Sequence, residues 1–339
     1  MNVKTFMADN HNSNIYQIIL PTSTQLEMIK FVAINHYGLT LSPSSKLGLI
    51  GNYNINSLNF RINDFYLKIL TEAQFSPRVN LFPKLVTQMK LQDIPGVGFL
   101  KNISGEHISK FAFKDKIYYA TLQPFLEGNF FSGSKTSLEN IIEVIKKMND
   151  VFSNIKPQKC HQEPYFNFKP KQRLLRVKNS YTKKIESLRL DNYDKMFISI
   201  FDQLLSISSF YESIEKTLDK KNIRHFDLHP HNVLLKNDRV IAVLDLDNIA
   251  IVDWRISSGF NLYKLGRKAI ATEMISVSEF KKIIKNYEGN NELKNFVFIE
   301  LLQRFLLVLE SHYHEKSNIR DGDFFKYLSS LKEIEIMFS

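Results

Sequence analysis

Apolar and polar positions follow two different rhythms along this chain, and the change comes just after Leu126-Glu127-Gly128. Upstream, segments 46–50, 58–62 and 65–70 carry the two-residue alternation of half-buried strands, with Asn63-Asp64 as a hairpin turn between the last two. Segments 97–100, 108–113 and 117–125 read the same way, with Lys114-Asp115 at a turn. A helix precedes them all. Thr22 and its neighbours supply capping residues, Leu26, Ile29, Phe31 and Val32 lie near one face, and Gly38 ends it. A second helix is expected over 79–89, short or shifted because Pro83 has no amide hydrogen to donate.

Downstream the period lengthens to that of helices. Thr136 and Glu139 have capping-box spacing, opening a helix whose stripe is Leu138, Ile141, Ile142, Ile145, Met148 and Phe152. Further helices are expected at 183–189, 193–218, 276–286, 291–313 and 324–338. One β-rich island interrupts them at 233–247, where two apolar runs flank the turn Lys236-Asn237-Asp238-Arg239. This order implies an α+β fold, a helix and mostly antiparallel sheet in 1–126 followed by a mostly helical part in 127–339.

Composition changes this picture little. The 339 residues are 44% hydrophobic and 24% charged, as in a globular chain long enough to divide into two lobes. Residues 1–12 lack the apolar run of a secretory leader. No stretch reaches the roughly 18 uncharged apolar residues of a membrane span; the nearest, 296–309, is broken by Glu300, Gln303 and Arg304. Cys160 is the single cysteine, which excludes an internal disulfide and a thiolate zinc site. A cytoplasmic protein is expected. The net charge of +10 favours an anionic partner such as a nucleotide or phosphorylated sugar.

Candidate chemistry concentrates in His225-Phe226-Asp227-Leu228-His229-Pro230-His231-Asn232, which leads into the first strand of the island, while Asp245 closes the second. Phosphoryl transfer needs a carboxylate to orient the attacking hydroxyl, and an amide and second carboxylate to hold magnesium over the phosphates. The spacing from Asp227 to Asn232 lets one tight loop aim both inward, and the hairpin returns Asp245 to the same edge.

The loop, its following Val233-Leu234-Leu235, and Val240 to Asn248 together resemble the catalytic loop and metal-binding strand of the aminoglycoside phosphotransferase superfamily. That superfamily includes choline kinases and type II homoserine kinases. The resemblance implies a bilobal protein-kinase-like fold with an antiparallel small lobe and a mostly helical large lobe. It implies Asp227 as catalytic base, His225 as the histidine that opens the loop, and Asn232 and Asp245 as magnesium ligands. Lys68 would meet the phosphates of ATP, Asn54 would lie in the nucleotide loop, and Gln123 and Phe125 would lie in the hinge against adenine. His229 and Asp247 are candidates for substrate contact. The cofactors implied are ATP and Mg2+. Two departures stand out: 79–89 holds no glutamate to pair with Lys68, leaving Glu72 nearest, and Ser258 stands where the family commonly has an aspartate.

Other readings are weaker. Gly128 to Thr136 mimics a phosphate-binding loop, but Ser134 separates Gly133 from Lys135, and no parallel strand precedes it. The loop histidines could suggest a metal cluster, yet catalytic-loop positions account for them better. Lys169, Lys171, Arg173, Arg176, Lys178, Lys183 and Lys184 form a basic stretch that is either a solvated face or a border attracting an anionic acceptor. The sequence thus points to an ATP- and magnesium-dependent kinase acting on a small-molecule hydroxyl: a sugar, a glycan precursor or an amino alcohol. Nucleic acid is not expected as a partner. The alternative is a catalytically weak or inactive kinase-like nucleotide-binding protein that holds an anionic partner through 169–184.

Overall fold

The computed structural model describes residues 22–42, 47–49, 58–73, 75, 77–157, 168–186, 192–219, 222–246, 249–285, 287, 290–315 and 321–338. Helix α1 (Ser23–Tyr37) opens on Thr22 and Gln25, which exchange side-chain and backbone hydrogen bonds as a capping box. It stops at Gly38, whose φ of 63° is left-handed and suits a residue without Cβ. Met28, Ile29, Val32, Ala33 and Tyr37 are buried, whereas Phe31 stays 36% exposed and rests against Phe111 and Phe113.

Beneath α1 lie β1 (Leu47–Leu49), β2 (Leu58–Ile62), β3 (Phe65–Thr71), β4 (Ser109–Phe113) and β5 (Lys116–Pro124), antiparallel in the order β1-β2-β3-β5-β4. The expected turns hold Asn63, Lys114 and Asp115 at positive φ. Phe60, Ile62, Leu67, Ile69, Ala120 and Leu122 join the buried face of α1 in a core of their own.

One expectation in this half is corrected. Segment 97–100 is not a strand. It belongs to a connector in which Gly96 bridges Val243, Val243 N donates to Pro95 O and Leu100 N donates to Leu122 O. Those bonds run to two different sheets, so no continuous ladder forms. The helix expected near 79–89, short or shifted by Pro83, is shifted: a 3-10 turn, Pro77–Leu81, leads into α2 (Phe82–Leu91). Pro83 sits in the first turn of α2, where its missing hydrogen bond costs nothing.

After the five-stranded sheet come β6 (Asn129–Phe130) and α3 (Lys135–Ser153). Its cap is Ser134, accepting from Ser137 N, two residues before the Thr136 at which a capping box was expected. Asp238 explains the shift, since it accepts from the hydroxyls of both Ser134 and Ser137. Helices α4 (Pro170–Glu186) and α5 (Asn192–Ile214) follow. Helix α4 begins well before the expected residue 183, and its stripe of Leu174, Val177 and Tyr181 is buried. Next come β7 (Ile223–His225), β8 (Val233–Lys236), β9 (Arg239–Val243) and β10 (Ile249–Ile251). Asn237 and Asp238 both take positive φ between β8 and β9, the twist that a two-residue hairpin loop favours. Helix α6 (Trp254–Ala271) did not emerge from the sequence pattern, and it packs against α3, α8 (Asn290–Glu310) and α9 (Asp321–Phe338). Helix α7 (Val277–Lys285) packs on α9. Among the described residues no helix is long and apolar enough to cross a membrane.

Candidate functional site

Strand β7 delivers His225 to the start of a tight loop that ends in a single 3-10 turn, Pro230–Asn232, with Pro230 fixing its first φ. The loop is closed by hydrogen bonds to its own backbone. Asn232 Nδ2 donates to Asp227 O at 2.8 Å, and Asp227 N donates to His225 Nδ1 at 3.3 Å. Because Nδ1 accepts, the hydrogen sits on Nε2, which lies 3.2 Å from Leu244 O and donates to it. Leu244 N in turn donates to Asn232 O at 2.8 Å. One ring of bonds therefore joins Asp227, Asn232 and the residue before Asp245, with His225 as the neutral pin that completes it.

A second clamp comes from α6. Asn261, 3% exposed, donates to His225 O at 3.1 Å and accepts from Leu228 N at 3.0 Å, so it grips the loop on both sides of Asp227. Ser258, where an aspartate was looked for, instead accepts from Asn149 at 2.8 Å.

One further turn along α6, Lys264 pairs its Nζ with Asp227 Oδ1. Burial alone would push the Asp227 carboxyl up, but the charge and hydrogen bond of Lys264, aided by Arg304, bring it down to about 2. Burial holds the Lys264 ammonium below its ordinary value, countered by Asp227. Lys264 Nζ and Arg304 Cζ lie 4.6 Å and 4.8 Å from the Phe260 ring centroid. Arg304, on α8, is paired with the fully buried Glu300 one turn before it. Burial pulls His229 down to about 4, and its Nδ1 accepts from His231 N, so its Nε2 carries the hydrogen. Neither Lys264 nor Arg304 was singled out from the sequence. Their helix-period spacing from Asn261 and Glu300 was the available signal, but nothing in the chain order ties those helices to the loop.

From the small lobe, Lys68 on β3 reaches Asp245, with Nζ 3.2 Å from Oδ1. Asp245 lies just past β9 in a left-handed conformation, φ 54°. Helix α2 carries no acidic residue and Glu72 is exposed, so Asp245 supplies a carboxylate to this lysine. Gln123 donates its side-chain amide to Val97 O at 2.9 Å. Phe125 N donates to Asp64 O at 2.7 Å, and the Phe125 ring lies under Arg61 at 4.0 Å. These two residues tie the end of β5 to the connector and to the β2–β3 turn. Asn54 and Asp247 lie outside the described residues.

In the basic stretch, Arg173 makes two hydrogen bonds to Glu310, at 2.8 and 2.6 Å, and Lys178 lies 4.4 Å from the Phe201 ring. Lys169, Lys171, Arg176 and Lys183 are exposed.

No protein-family model matches the chain, and no curated protein matches it in sequence. Among solved structures it is similar to the amicoumacin kinase hAmiN in complex with AMP-PNP, Ca2+ and Ami, with 12% identity and TM-score 0.59 over 91% of this chain and 92% of that one. It is similar to the spectinomycin phosphotransferase APH(9)-Ia in complex with ADP and spectinomycin, with 12% identity and TM-score 0.58 over 93% and 97%. A microcompartment-associated aminopropanol kinase matches with 12% identity and TM-score 0.53 over 92% and 99%. At this identity the likeness establishes the fold, over nearly the full length of each chain.

Proposed function

We propose that this chain, which has the bilobal fold of the aminoglycoside phosphotransferase-like kinases, moves the γ-phosphate of ATP to a hydroxyl of a small molecule. The observation that carries the reading is the hydrogen-bonded ring joining Asp227, Asn232 and Leu244, with Lys68 meeting Asp245 from the opposite lobe. Three structural neighbours are described as kinases or phosphotransferases of small molecules, two of them with an adenine nucleotide bound, which supports the same reading.

The residues present fit magnesium and ATP. Asp245 offers a carboxylate, and Asn232, whose Nδ2 is engaged with Asp227 O, offers its Oδ1. One or two such oxygens, completed by phosphates and water, suit magnesium better than an all-protein cage. Bound there, the metal would neutralise charge on the transferring phosphoryl group. Lys68 would exchange its pairing with Asp245 for a phosphate oxygen. Asp227 would orient the acceptor hydroxyl; held at about 2, it is a weak base. That suits a loose transition state in which the proton leaves late and positioning carries most of the rate. Lobe closure about 123–128 would keep out water, the competing acceptor.

The acceptor class is a sugar, a glycan precursor or an amino alcohol. Two carboxylates near the loop, Asp227 and Glu300, are matched by Lys264 and Arg304, a balanced set that does not favour a polycation. The competing reading, an inactive anion-binding protein, would rest on the exposed Lys169, Lys171, Arg176 and Lys183, since Arg173 and Lys178 are engaged within the fold. A panel of sugars and amino alcohols with magnesium-ATP, read by ADP release, tests the proposal. At least one compound should accelerate release by the wild type, and Asp227→Asn should remove that increment by about 100-fold or more. Tight nucleotide binding with no stimulation by any acceptor would contradict it.

A further inference from the structure

We propose that Lys264 is a positioning residue that fixes the rotation of the Asp227 carboxylate, so that Oδ2 is the oxygen that receives the acceptor hydroxyl. The inference rests on the phosphotransfer reading above and deepens it. A terminal carboxylate torsion is broad and nearly two-fold, so an unrestrained aspartate would present either oxygen at shifting angles. Here Lys264 occupies Oδ1, the Asp227 side chain is 28% exposed, and among the described residues no hydrogen bond reaches Oδ2.

The placement of Lys264 is itself over-determined. Asn261, three residues earlier on the same face of α6, grips His225 O and Leu228 N, which flank Asp227. The register between helix and loop is therefore set independently of the ion pair. Phe260 supports the ammonium at 4.6 Å, and Glu300 holds Arg304, which leaves Lys264 as the cation that meets Asp227. In the reaction the hydroxyl proton passes to Oδ2 as the new O–P bond forms and the bond from phosphorus to the ADP oxygen breaks. Lys264 gives up no proton and stays an ammonium throughout. A misorientation of about 1 Å at such a centre costs roughly 100-fold in rate.

The test compares Lys264→Met, Lys264→Arg and Lys264→Ala with Asp227→Asn in magnesium-ATP turnover, using the best acceptor of the panel or, failing that, water. Lys264→Met should lower kcat by about 100-fold while KM for ATP and the affinity for AMP-PNP stay within about two-fold of wild type. Lys264→Arg should recover most of the loss. Added methylammonium should restore part of the turnover of Lys264→Ala, and tetramethylammonium at equal ionic strength should not. A wild-type kcat in Lys264→Met overturns the inference. So does a loss that arrives with weakened AMP-PNP binding and that neither arginine nor methylammonium relieves, because that is a purely structural role. The two readings separate through Asp227→Asn. If it turns over like wild type, the phosphotransfer reading itself fails; if it is dead while Lys264→Met is normal, this inference alone fails.

Discussion

Asp227 and His229 lie two residues apart in the loop, and burial acts on them in opposite senses: it lowers His229, whereas in Asp227 the charge and hydrogen bond of Lys264 overcome it. Asp227, held at about 2, stays a carboxylate, and His229, drawn down to about 4, stays neutral. Neither changes charge between about pH 5.5 and 8, so kcat/KM should show no acid limb from these groups in that window. A rate profile falling on an apparent value near 6.5 would assign the limb to a charged His229 instead. Asp253 offers a stability counterpart. It caps α6, pairs with Arg255 and accepts from Asp219 N, and these bonds outweigh burial and lower its pKa. A lowered folded-state value means its contribution is fully present above the ordinary carboxylate value near 4 and is lost as pH falls through the folded value. Asp253→Asn should cost about 1–3 kcal/mol in urea unfolding at neutral pH, with the gap to wild type narrowing in acid.

Helix α6 carries much of the site. Asn261→Ala would leave the buried Leu228 N and His225 O without these partners, at a cost of about 2–4 kcal/mol. It should lower kcat more than it raises KM for ATP, which steady-state kinetics on the folded fraction would show. Gly266→Ala is a control on the same helix. The Phe280 ring packs where a Cβ would stand, so denaturation should show a loss of about 1–3 kcal/mol with nucleotide affinity unchanged. The 225–232 loop was legible because its candidate chemistry lies in consecutive residues, and the hairpin after it because Lys236 to Arg239 is turn-rich. Helix α6 was not legible for a physical reason. Ser257, Ser258, Asn261, Lys264 and Arg267 interrupt its apolar pattern, although Ser257, Ser258 and Asn261 are buried and hydrogen-bonded. A periodicity rule treats such residues as solvent-facing, and only tertiary partners show otherwise. Helix α4 was obscured likewise, its cations masking a regular buried stripe.

Over the whole molecule, the five-stranded sheet ends at Pro124 and the long helix α3 begins at Lys135, on either side of the change of rhythm at Gly128. What it could not show was how the apolar surfaces distribute. Phe82, Leu85, Val86 and Met89 of α2 belong to the core shared with α3 and the large lobe, while α1 and the five-stranded sheet close a smaller core. That distribution bears on the missing glutamate: Lys68 finds its carboxylate across the lobes, in Asp245. Lys68→Met should weaken magnesium-ATP binding, measured by calorimetry, by about ten-fold or more, the loss of roughly 1.4 kcal/mol or more of charge-assisted bonding. The central claim, that Asp227 directs a phosphoryl group from ATP to a hydroxyl, is tested most directly by following label from γ-labelled ATP into the acceptor. The account predicts a labelled phosphate ester with the wild type and about 100-fold less or lower with Asp227→Asn, at nearly unchanged ATP affinity. Equal labelling by the two proteins would contradict it.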